Sequence, residues 1–137
     1  MRKILLLTFC LSIIMVSCSK EEITETSEES ISSNTSSKTE VVINVIDIHN
    51  NPKSGYVVMM FVQKPSSTTT LPTIIKQVNS NSEGIAKFDL DSYLTTPKTL
   101  YFEAFTKDGN NYIWKSISHP SKTISKGTKW TTSIIVN

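Results

Sequence analysis

From residue 39 onward, apolar and polar positions alternate with a period of two in short runs, the spacing of strands that bury one face. Val41, Ile43 and Val45 share a side of the first run, Val58, Met60 and Val62 a side of the second, and Ala86, Phe88 and Leu90 a side of a later one. These three sets are the expected core. β-Branched and aromatic runs bounded by Asn, Gly, Pro and Ser predict strands over 40–48, 56–63, 73–78, 85–90, 99–106, 111–118 and 131–136. Between them lie turn signals at 49–55, 79–84 and 107–110. Gly84 stands where the chain needs a positive φ before it enters the Ala86 strand. Seven short strands at this spacing predict an all-β fold, a seven-stranded antiparallel β-sandwich.

The first residues follow a different pattern. Arg2 and Lys3 precede an apolar run from Ile4 to Val16, 13 residues long, whereas a bilayer core takes about 20. A cationic start, a short apolar stretch and small residues at its end make a cleavable secretory signal over 1–17. Met15, Val16, Ser17 and Cys18 resemble the lipobox of bacterial lipoproteins. That resemblance implies that Cys18 becomes the acylated first residue of the mature chain, anchored to a membrane it does not span. With each buried methylene contributing about 0.8 kcal/mol, two or three acyl chains hold a protein permanently. The alternative is an ordinary secreted protein cut near Ser17, with Cys18 a free thiol.

Ser19, Lys20, Glu21 and Glu22 resemble the surface-export signal of Bacteroidota lipoproteins. This implies an outer-membrane lipoprotein exposed on the cell surface; read instead as a solvated charged linker, the same residues leave it facing the periplasm. After Cys18, residues 19–38 are Ser, Thr, Glu, Lys and one Asn with only Ile23 and Ile31 as large apolar residues, a composition that predicts a disordered tether over 18–38. From Ser19 to Lys38 there are five glutamates against two lysines; from Thr39 onward, ten lysines stand against seven acids. The two offset, so charge points to no nucleic-acid partner. Residues 39–137 suffice for one small domain with a single core, and they hold no cysteine, so packing must stabilise it without disulfides.

The stretch from Val45 to Val58, with its Asn-Pro turn and entry through Gly55, and the stretch from Asn79 to Leu90, with polar turn, glycine and alternating strand, resemble transthyretin-like (prealbumin-like) sandwiches and carboxypeptidase regulatory-like domains. The resemblance supports the sandwich, prealbumin-like or Ig-like, and says little of function. Transthyretin-like hydrolases depend on histidine with arginine, and the intradiol dioxygenases of this fold on a His and Tyr iron site. The mature chain has no arginine and only His49 and His119, both in predicted loops as exposed imidazoles, so a non-catalytic protein without metal or cofactor is expected. Asp89 and Asp91 are too few for calcium, which takes six to eight oxygens; Asp91 is expected to cap the turn at 92–94.

The remaining pattern is aromatic. A two-residue turn at Asp108-Gly109 would set Phe105 opposite Tyr112 and Glu103 opposite Trp114, with Tyr101 on the same face and Leu100, Phe102, Ala104, Ile113 and Ile117 on the other. If the aliphatic set is core, Tyr101, Phe105, Tyr112 and Trp114 form an exposed platform for a sugar ring or a protein. Otherwise they are core, or are covered by the chain near Pro97 or over 118–130. Two roles follow: a binding or adhesion module for a glycan or envelope protein, or an assembly subunit joining neighbours through the weakly charged strand over 131–136.

Overall fold

Two sheets account for the alternation. The computed structural model describes residues 37–67 and 69–137; Cys18, Ser19, Lys20, Glu21 and Glu22 lie outside the described residues. The strands are β1 (Glu40–Ile46), β2 (Val57–Phe61), β3 (Lys76–Asn79), β4 (Ile85–Asp89), β5 (Lys98–Asp108), β6 (Asn111–Trp114), β7 (Ser121–Ile124) and β8 (Lys129–Ile135). One sheet has the order β4-β1-β8; the other has the order β3-β2-β5-β6, with β7 also paired to β5. The fold is an all-β sandwich.

Three details differ from expectation. There are eight strands among the described residues rather than seven, because β5 is eleven residues long and takes β6 and then β7 along one edge. β7 reads Ser-Lys-Thr-Ile, with one buried residue, and so carries almost no apolar alternation. The sandwich is also not wholly antiparallel, since β1 and β8 run parallel. Their connection is most of the domain, and short-range turn chemistry reports only antiparallel neighbours. Finally, the β5–β6 turn is Gly109-Asn110: Asp108 faces Asn111, Lys107 faces Tyr112 and Phe105 faces Trp114. Gly109 takes φ +58°, suited to the first position of a type II′ turn. The change moves each partner by two residues, so every side chain keeps its face.

Between the sheets, Val41, Ile43, Val45, Val58, Met60, Ala86, Phe88 and Leu90 are all fully buried, as the period-two pattern predicts. Phe102 lies at the centre, edge-on to Phe88 at 5.3 Å and to Trp130 at 5.9 Å. Val62 departs from its expected role and is 40% exposed, because β2 ends at Phe61 and the chain leaves the sheet there. Gly84 has φ +75°, and a Cβ on it would lie 2.7 Å from the Val45 carbonyl oxygen. Close approach as well as backbone hand therefore demands glycine at this turn.

Candidate functional site

β2 is buried at all five positions, which a strand with one solvated face would not be. Its outward residues Val57, Met59 and Phe61 join Phe105 in a second apolar cluster on the outer face of the five-stranded sheet, with Leu71, Tyr101, Tyr112 and Trp114 packed around it. The register builds this group. Val57 faces Phe105, Met59 faces Glu103 and Phe61 faces Tyr101, while Trp114 continues the row beyond Phe105. Phe105 is completely buried; Tyr101, Tyr112 and Trp114 are half-buried. Phe105 stands edge-on to Tyr112 at 6.3 Å and tilted against Trp114 at 6.0 Å.

The four aromatics expected on one face are thus together, outside the inter-sheet core and only partly covered. The opposite set divides: Leu100, Phe102 and Ala104 are core, whereas Ile113 and Ile117 are 44% and 52% exposed. Part of the cover comes from Leu71 in the β2–β3 connection. Tyr112 reaches over the face, its hydroxyl 3.4 Å from Gln77 Oε1 on β3.

Inside the cluster sits a carboxylate. Glu103 is 2% exposed, and an acid buried that deeply needs hydrogen-bond partners to offset lost hydration. Trp114 Nε1 donates to its Oε2 at 3.0 Å. His119 Nδ1 lies 3.0 Å from Oε1 and 2.9 Å from Oε2, and its ring is edge-on to Trp114 at 5.7 Å. His119 is a loop residue with its side chain 46% exposed, as expected of the imidazole, but it is held by Glu103 rather than free.

A break in β5's partner strand delivers the histidine. Beyond Lys115, whose N–H still donates to the Ala104 carbonyl at 2.9 Å, residues 116–120 leave β5 and cross to the other sheet, where Ser116 pairs with Val136 and Ile117 N–H donates to Ile135 at 2.7 Å. The detour would strand two N–H groups of β5. Ala104 N–H donates instead to Ser116 Oγ at 2.6 Å, and Phe102 N–H to the Pro120 carbonyl at 3.1 Å. Glu103 lies between them, so the returning chain sets His119 over its carboxylate. The signal available in the sequence was the lone acid within Leu100-Tyr-Phe-Glu-Ala-Phe105, a charged residue at an otherwise apolar strand centre.

Other polar residues hold the loops. Asp91 does not cap 92–94 with its side chain: Leu90's carbonyl accepts from Tyr93 and Leu94, and Asp91 Oδ1 accepts from Thr39 N–H at 2.6 Å, tying down the start of β1. Asp89 pairs with Lys38 at 3.0 Å and accepts from Asp91 N–H; Lys38 first and that N–H next hold its carboxyl below the usual range. Asp47 pairs with Lys53 at 2.9 Å and accepts from Asn51 and His49, which press its carboxyl well below the ordinary value. His49 therefore enters this turn through its backbone. Among the described residues no three His, Cys, Asp or Glu side chains group as a metal site.

No protein-family model and no curated protein matches the chain. Among solved structures it is similar to the Bacillus anthracis TIE protein, with a TM-score of 0.42 and 11% identity over 73% of this chain. The match takes in 17% of that protein's chain, so this chain spans a small part of its length.

Proposed function

We propose that this chain is a lipid-anchored protein of the cell envelope whose sandwich is a non-catalytic binding module, meeting a glycan or an envelope protein with the outer face of its five-stranded sheet. One observation carries the reading. A second aromatic cluster stands apart from the core, with Tyr101, Tyr112 and Trp114 half-exposed around a buried acid. Partly exposed aromatic rings beside fixed polar groups suit ligands with both apolar faces and hydroxyls or amides. The sequence from Met15 to Glu22 supplies the anchor: acylated Cys18 would keep the domain at the membrane surface, and Lys20, Glu21 and Glu22 favour its outer side.

Tyr112→Ala is the sharpest test, because its hydroxyl makes only a long contact at the rim. Wild-type and variant are compared for binding to arrayed cell-surface glycans and to envelope fragments, with thermal unfolding measured in parallel. A tenfold or greater loss of binding is expected with cooperative unfolding retained and Tm lowered by less than about 8 °C; unaltered binding would remove the aromatic face from the function. For the anchor, the mass of the native product should include acyl groups at Cys18, and Cys18→Ser should release the protein from membranes. Protease added to intact cells should remove the domain if it faces outward.

A further inference from the structure

The sandwich is complete on one side and one strand short on the other. β4 approaches β3 and β8 approaches β5, so the strip formed by β6 and β7 beyond β5 has no strand across from it among the described residues. Ile113 is exposed on the inward-facing side of that strip, and Lys122 lies there with its ammonium 5.5 Å over the half-buried Trp130 ring.

The strand bordering this gap is an unfinished edge. Val136 N–H donates to Ile46 and Glu40 N–H to Thr128, so the even-numbered residues of β8 bond to β1 and the odd-numbered ones point away. Ile135 is satisfied by the 116–120 detour, through Ile117 N–H and Ser118 Oγ. Lys129, Thr131 and Ser133 present N–H and C=O groups with no partner among the described residues. No charged side chain lies on β8 after Lys129 to guard the edge. Lys129 begins β8, Lys126 stands in the turn before it and Lys122 reaches the Trp130 ring, and none of the three pairs with a carboxylate among the described residues.

We infer that this gap takes an extended acidic peptide segment from a partner protein, added as a fourth strand beside β8. Its backbone would bond to Lys129, Thr131 and Ser133, alternate side chains would cover Ile113 and Trp130, and terminal acids would meet the lysines. This inference is independent of the aromatic face, which lies on the outer side of the other, five-stranded sheet.

The test uses the mature chain carrying Cys18→Ser and a blocked heptapeptide that alternates valine and threonine between terminal glutamates. Saturating peptide should shift the Thr131 and Ser133 amide resonances and slow their hydrogen exchange at least tenfold. A peptide with terminal lysines should bind at least tenfold more weakly. Ser133→Pro removes an N–H that faces the gap and leaves the β1 ladder intact, so it should abolish binding at little cost in Tm. Should proline disturb folding, Lys122→Glu with Lys129→Glu should instead reverse the preference between the two peptides. Unmoved Thr131 and Ser133 amides, or equal binding of both peptides, would overturn the inference. So would protection of those amides that grows with protein concentration alone, which would assign the gap to a second copy.

Discussion

The two faces of the five-stranded sheet are made from the same strands but are stabilised differently. The inner face is met by a second sheet, so Phe102 has ring neighbours contributed by both β4 and β8. Among the described residues the outer face has no strand above it, only Leu71 of the β2–β3 connection and His119 of the chain before β7: Phe105 is equally buried, yet its neighbours Tyr112 and Trp114 come from the adjacent strand and remain partly wet. A packed sheet opposite closes a core. A row of aromatics covered by a loop can be buried at its centre and still offer rings to a ligand at its margin.

Phe102→Ala should break this comparison's firmer side first, lowering stability by about 4 kcal/mol because both sheets lose their contact. Phe105→Ala should cost about 3 kcal/mol, nearer the low end for a buried phenylalanine, since the loop can settle onto the gap. Chemical denaturation measures both, and a larger loss at Phe105 would make the outer cluster the main core. Glu103→Ala should cost about 2 kcal/mol by leaving the Trp114 N–H and His119 without their acceptor. Glu103→Gln keeps an acceptor and should recover much of that loss. Tyr112→Ala should cost under about 1 kcal/mol, as a rim substitution does.

Acid should act through the turns, away from both faces. Asp47 and Asp89 have carboxyls held below their ordinary values by Lys53 and Lys38. Stability from these pairs is present above the unfolded carboxyl value, about 3.9, and is lost as pH falls through the lower folded value. Thermal melts from pH 5 to pH 2 should therefore fall less steeply in Asp47→Asn than in wild type. Equal slopes would remove Asp47 from the acid response.

Legibility followed the range of the interactions. Alternation alone found the buried sets on β1, β2 and β4, apart from Val62, and the turn signals located Gly84, because one face of a strand and a positive φ are local properties. The same period kept Tyr101, Phe105, Tyr112 and Trp114 on one face even with the turn placed one residue early. It missed β7 and the parallel β1–β8 pair, whose partners are chosen by distant chain.

Within residues 39–137, the sequence by itself determined the all-β class, the three inward-facing sets and the shared face of the aromatics, because steric and periodic rules act within a few residues. Only the tertiary structure decided which face of β5 meets a second sheet, that Glu103 is buried beneath His119, and that among the described residues β8 keeps an open edge. Those outcomes depend on how many strands each sheet recruits and where the chain between β6 and β7 detours, and no local pattern encodes contacts made across the whole domain.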